Sequence, residues 1–255
     1  MIDNTVGVVI LAAGHGTRMK SEIPKVMHEL NGKPLVGHVV DNAIASGITQ
    51  KPVVVVSSAG TLVRAYFGDR VEYAVQEKQL GTGHATAAAT KVVSKDAEHI
   101  VVLYGDMPML RPESIQRLVH RHIERDNTVT VMTVTVPSFE APYTPFFGFG
   151  RIVRNQRTGH IEQIVEKKDC TDVQLEIKEL NTSFFSFKAD WLWSHITKLQ
   201  NTNAQQEYYL VDLLKLAIDE GQRVSAVATD PHEAMGINSP EDFQVAEQAM
   251  SLRND

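Results

Sequence analysis

Residues 6–25 read VGVVILAAGHGTRMKSEIPK, and the fold turns on how this stretch divides. Positions 6–13 are apolar without interruption, too few to span a membrane, and they run directly into Gly14 and Gly16. A strand apolar on both faces is expected to be covered on both faces, which predicts a parallel sheet between helical layers. The first half of the chain repeats the theme. PVVVVS (52–57), VEYAVQ (71–76), HIVVLYGD (99–106) and TVTVMTVTV (128–136) alternate with amphipathic helical stretches near 34–46, from Thr82 and over 112–125. The fold class that follows is α/β, with a doubly wound, mostly parallel, Rossmann-like sheet whose ligands collect at the carboxyl ends of the strands.

Beyond residue 136 the pattern changes. PSFEAPYTPFFGFG (137–150) reads as a loop, and GRIVRN and HIEQIVEKK around a Gly-containing turn predict a smaller antiparallel lobe. ELNTSFFSF (179–187) returns to a strand, EYYLVDLLKLAIDEG (207–221) predicts a helix ended by Gly221, RVSAVATD (223–230) a strand, and Ser239-Pro240 the start of a last helix. The expected organisation is one domain over 1–255, with halves at about 1–136 and 137–240 and a C-terminal helix over 240–255.

Composition narrows the function. With 255 residues and 43% hydrophobic content the chain can bury a sizeable core. The net charge of -6, spread evenly, offers no basic tract for nucleic acid, so any phosphate binding must be local. The single cysteine, Cys170, allows neither an intramolecular disulfide nor a Cys/His zinc spacing and suits a reducing, cytoplasmic compartment. No membrane-spanning or secretory segment is expected.

Gly14, Gly16 and Thr17 provide backbone that can approach an anion and aim N–H groups at it. Two well-known phosphate loops fail here, because Met19 stands where GxGxxG and GxxxxGKS each need glycine. The second strand also ends as VVVVSSAG, without the acidic residue that holds a dinucleotide ribose. The loop does bring Arg18 and Pro24-Lys25, cations suited to a triphosphate. A structural turn with solvated cations explains the same residues equally well.

LAAGHGTRMKSEIPKVMHELNGKPL (11–35) resembles the N-terminal signature LAAGxGTRMxSxxPKxLHxxxGKPM of the sugar nucleotidyltransferases, and within them the bacterial N-acetylglucosamine-1-phosphate uridylyltransferases. QEKQLGTGHA, LYGDMPML, IVEKKDCT, ELNT and NAQQEYYLVDL follow in that family's order, so the resemblance covers roughly residues 7 to 240. It implies the nucleotide-diphospho-sugar transferase fold, UTP and N-acetylglucosamine 1-phosphate as substrates, and Mg²⁺ as cofactor. Carried over by position, it implies nucleotide binding by Leu11, Ala12, Ala13, Gly14, Gly16, Thr17, Arg18, Lys25, Gln76, Gln79, Gly81 and Thr82. It implies sugar binding by Tyr104, Gly105, Gly150, Glu166, Asn181, Glu207 and Asn238, with Arg18, Lys25 and Asp106 catalytic. Asp106 and Asn238 are the implied metal ligands.

The residues themselves bear on several of these. Asp106 ends an apolar strand and should project into the crevice, where a carboxylate suits Mg²⁺, although it could instead cap the following helix. Asn238 or Ser239 could likewise be an N-cap, as could Thr82, and His84 reads equally as a packed histidine or a contact. Glu207-Tyr208-Tyr209 suits helix packing, with Glu207 near the sugar. Two departures from the family stand out. The loop 137–149 is longer than its acidic turn, with Phe149 in place of the usual tyrosine, and these residues contain no hexapeptide repeat like that of the bifunctional members' acetyltransferase domain. Those members trimerise largely through that domain, so the resemblance leaves a homo-oligomer open.

Overall fold

The computed structural model describes residues 5–14, 21 and 23–251. The opening run forms β1 (Val6–Leu11), followed by a small hairpin of β2 (Glu29–Leu30) and β3 (Lys33–Pro34) and by α1 (Leu35–Ala45). The alternation continues with β4 (Val53–Ser57), α2 (Thr61–Phe67), β5 (Glu72–Gln76), α3 (Thr82–Ala88), β6 (His99–Tyr104), α4 (Pro112–Glu124) and β7 (Val129–Thr135). The second half supplies β8 (Arg151–Arg154), β9 (Ile161–Val165), α5 (Asp172–Leu175), β10 (Glu179–Lys188), α6 (Ala189–His195), α7 (Asp212–Asp219), β11 (Val224–Ala228) and α8 (Pro240–Ser251).

The strands join in the order β11-β7-β10-β6-β1-β4-β5, with the β8-β9 hairpin attached through β10. β1 lies parallel to both β4 and β6, and β10 alone runs antiparallel between β6 and β7. The expected mostly parallel sheet and antiparallel lobe are therefore both present. The strand period explains the core. Val8 and Ile10 face a layer built from α1 and α4, through Val36, Val40, Ile115 and Leu118. Val9 and Leu11 face the opposite layer, with Ala85 of α3, Leu192 of α6 and Leu213 and Leu214 of α7. Val9, Ile10, Val36 and Leu213 are completely buried, and each such side chain contributes on the order of 1.5–3 kcal/mol.

One expectation fails. The helix expected from Glu207 begins only at Asp212. Tyr208 donates its N–H to Leu80 O at 2.8 Å and its carbonyl accepts from Gly83 N at 2.8 Å, so the groups a helix would use are bonded to the 80–83 loop instead. Residues 203–211 thus form a strap across the sheet edge. The carboxyl ends of β1, β4, β5 and β6 emerge at that same edge.

Candidate active site

Lys25, Asp106 and Asn238 come from three distant segments and meet. Pro24 leads into a short 3-10 turn, Lys25–Met27, that turns the lysine inward. Asp106 follows the end of β6, and Asn238 precedes α8. Lys25 Nζ bonds Asp106 Oδ2 and donates to Asn238 Oδ1 at 2.9 Å. The pair is well shielded, with side-chain exposures of 14% for Lys25 and 17% for Asp106. Asp106 is therefore not a helix cap. The capping at α8 falls to its neighbours: Ser239 Oγ accepts from Asp242 N at 3.2 Å, while Asp242 Oδ2 accepts from Asn238 N and Ser239 N. That arrangement leaves the Asn238 side chain for the site.

Two clefts share the wall formed by Tyr104 and Asp106. The larger, of about 460 Å³, is lined by Leu11, Ala13, Gly14 and Lys25 on one side and by Gln76, Gln79, Gly81 and Thr82 on the other. The smaller, of about 270 Å³, gathers Gly150, Glu166, Asn181 and Asn238. Two roomier surface clefts lie at the amino ends of strands, beside Val6 and Val53 and beside Asn127 and Val224, away from this convergence.

In the larger cleft Gln76 is buried, and its amide nitrogen donates to Gly81 O at 3.1 Å and to His84 Nδ1 at 3.1 Å. His84 is thus an orienting residue that leaves the Gln76 carbonyl oxygen for a ligand. Thr82 is not an N-cap. It is the first residue of α3, and its hydroxyl accepts from Leu210 N at 3.0 Å, fastening the strap. Asn203 folds the strap on itself, accepting from Glu207 N at 3.1 Å and donating to Glu207 O at 2.5 Å.

In the smaller cleft burial pushes the Glu166 carboxyl up to about 7; a hydrogen bond from Asn181 opposes this, and the nearby carboxylates of Asp212 and Asp169 add to it. Asp212 is itself pushed up to about 6 by burial and by Asp169. Gly150 fits directly against this acid: a Cβ there would lie 2.8 Å from Glu166 Oε1. Asn181 N donates to Gly150 O at 2.9 Å, tying β10 to the base of the lobe.

Several expected residues stand apart from their expected cleft. Glu207 lines the larger cleft, not the sugar-side one, because the strap seats it on Gly81. Ala12 and Gly105 line neither: Ala12 N donates to Val55 O and Gly105 N to Leu11 O, both at 2.9 Å, so their amides are already bonded within the sheet. Gly16, Thr17 and Arg18 lie outside the described residues. The sequence reading missed Val26 and Ala85 in the larger cleft and Thr182 and Ser183 in the smaller. A break in strand alternation within ELNTSFF was the available signal for the last two.

Residues 8–168 match the family model described as the MobA-like NTP transferase domain. The chain belongs to the MobA-like NTP transferase family. Over 249 residues this family member is 39% identical to the bifunctional protein GlmU of Brevibacillus brevis, covering 97% of the chain and 52% of that relative. It is 41% identical over 246 residues to the proteins of the same name from Bacillus cytotoxicus and Bacillus cereus, covering 96% of the chain and 52% of each. The chain thus spans about half the length of the curated relatives it matches. Among solved structures, a Bacillus anthracis chain described as a glucose-1-phosphate thymidylyltransferase in complex with sucrose superposes with a TM-score of 0.75 at 17% identity, over 96% of this chain and 94% of that one. That likeness supports an NTP transferase fold. Among the described residues, no helix of this MobA-like NTP transferase is long and apolar enough to cross a membrane.

Proposed function

We propose that the chain transfers a uridylyl group from UTP to N-acetylglucosamine 1-phosphate, giving UDP-N-acetylglucosamine and pyrophosphate, in the cytoplasm. The observation that carries this reading is the pair of clefts divided by Tyr104 and Asp106, with Lys25 and Asn238 at the junction. A nucleotide and a sugar phosphate seated side by side would bring their phosphates to that junction.

Mg²⁺ suits the same point. The oxygens of Asp106 and Asn238 converge on the Lys25 ammonium, a cation that stands in for a metal ion held by two protein oxygens and completed by phosphates. Bound there, the ion would supply neutralisation of phosphate charge. The rest falls to the chain. The attacking phosphate monoester, with a second pKa of about 6, is already largely dianionic at neutral pH and needs no general base. Lys25, with the backbone at Gly14, neutralises the departing pyrophosphate. The Gln76 carbonyl suits the ring N3–H of a uracil imide; cytosine presents an acceptor at that ring position and donates only from its exocyclic amine. Glu166, Asn181 and Gly150 receive the amino sugar, and their hydrogen-bonding chemistry fits a neutral, hydroxyl-rich ring. Positioning two phosphates in line is the main catalytic contribution.

A second reading, the same chemistry on another sugar 1-phosphate, rests on Phe149, which lines the sugar-side cleft in place of the family's usual tyrosine. A matrix of UTP, CTP, dTTP and ATP against N-acetylglucosamine, glucose and galactose 1-phosphates decides between them. UTP with N-acetylglucosamine 1-phosphate is expected to give the highest kcat/KM. A maximum elsewhere refutes the substrate assignment.

A further inference from the structure

Ser183 sits at the centre of a disruption in β10. The pairing of β10 with β7 shifts register between Asn181 and Phe185, so extra residues bulge out of the ladder. In a regular strand consecutive side chains face opposite ways; here Asn181, Thr182 and Ser183 all line the sugar-side cleft. The bulge requires Ser183 at φ +67, a left-handed conformation that glycine adopts freely and L side chains rarely do. A hydroxyl is thus carried into the cleft at a conformational cost that glycine would remove.

The hydrogen bonding indicates what that hydroxyl does. The Asn181 carbonyl accepts from Ser183 N at 2.8 Å, and its amide nitrogen serves Glu166 and lies 3.5 Å from Ser183 Oγ. Asn181 is therefore held mainly by its neighbours. Thr182 Oγ1 donates to Met132 O at 2.8 Å, turned back into the sheet. Ser183 Oγ accepts from Asn181 Nδ2 at 3.5 Å and its hydroxyl is hydrogen-bonded to that of Tyr104, the residue common to both clefts, so a ligand meets one remaining lone pair and a proton that rotation can redirect.

Resting on the function proposed above, we propose that the Ser183 hydroxyl is a specificity contact to the acceptor sugar, presented by the strained bulge. Strain at a ligand-facing residue, held in place by the surrounding sheet, is the pattern that follows from a binding role.

Ser183→Gly and Ser183→Ala separate the hydroxyl from the backbone. Both are measured with UTP and with the wild type's preferred acceptor among N-acetylglucosamine, glucose and galactose 1-phosphates, alongside thermal unfolding. Loss of one ligand hydrogen bond is expected to lower kcat/KM for the acceptor about 5- to 20-fold in both variants, through KM, with the KM for UTP within about twofold. The Tm of Ser183→Gly should equal or exceed that of wild type. The proposal is overturned if either variant keeps the wild-type kcat/KM for the acceptor, if both substrates are affected alike, or if the loss follows a fall in Tm. A wild type preferring a different acceptor refutes the substrate assigned above while Ser183 is still judged on that acceptor. Silence with every acceptor refutes both.

Discussion

Replacing Gly81 by alanine tests how the nucleotide side is built. Gly81 has φ +107 and ψ 177, a region open essentially to glycine alone. An added Cβ would lie 2.7 Å from Tyr208 O, 2.8 Å from Tyr208 N and 2.9 Å from the Glu207 Cβ. The obstacles are mostly backbone, so no flexible side chain can yield. The strap must lift, breaking Gly83 N to Tyr208 O, Tyr208 N to Leu80 O and Leu210 N to Thr82 Oγ1. Backbone strain of about 1–3 kcal/mol and about 1 kcal/mol per lost hydrogen bond together amount to roughly 4–6 kcal/mol. For a chain of this size each kcal/mol lowers Tm by about 2–4 °C, which gives a fall of roughly 10–20 °C if the strap unfolds with the whole. If it detaches locally the fall is smaller, and proteolysis concentrates at 200–211. Either way Gln79, Gly81 and Glu207 lose their arrangement, and the KM for UTP rises about tenfold or more. The assays are thermal unfolding and pyrophosphate release against UTP concentration. A Tm within about 2 °C of wild type with an unchanged KM for UTP would refute the docking account.

Lys25→Ala removes the cation common to the triphosphate side and to Asp106, and turnover should fall by orders of magnitude while the far-UV circular dichroism stays native; near-normal kcat would remove lysine from the chemistry. Glu166 has a folded pKa raised to about 7, so its contribution to stability is present below the unfolded value and lost as pH rises through 7. Glu166→Gln should therefore raise Tm at pH 8 but not at pH 5, while weakening the sugar phosphate at pH 8; equal Tm changes at both values would contradict the burial of this acid. His122 is the opposite case. Burial, with His99 and Lys188 nearby, depresses it to about 3, so the unfolded chain takes up a proton that the folded chain refuses as pH falls below about 6.5. Stability is then lost by up to about 1.4 kcal/mol per pH unit, and His122→Gln, measured by urea unfolding at pH 7 and pH 5, should flatten that slope.

The parallel sheet was legible because Val6–Leu11 and its counterparts are apolar on both faces, a local property that survives without tertiary information. The ordered motifs likewise located Lys25, Asp106 and Asn238, which the fold then brought together. The misplaced elements were those decided by distant partners. Nothing in EYYLVDLLKL reveals that Tyr208 is bonded to the 80–83 loop, so helical periodicity extended the helix too far. Glu207 moved to the other cleft with it. Thr82 and Gly105 carry residue types suited to capping and ligand approach, yet Leu210 and Leu11 occupy them. The alternation in ELNTSFF breaks visibly at Asn181-Thr182-Ser183, but that this break is a bulge facing the sugar-side cleft is decided by the pairing of β10 with β7.

The most direct test of the account is the initial rate of pyrophosphate release by the wild-type chain with UTP, Mg²⁺ and N-acetylglucosamine 1-phosphate, with glucose 1-phosphate as the comparison acceptor. The account expects rapid, Mg²⁺-dependent release with the amino sugar phosphate, at least about tenfold above glucose 1-phosphate in kcat/KM. No release with either acceptor, or release indifferent to the acceptor, would contradict it.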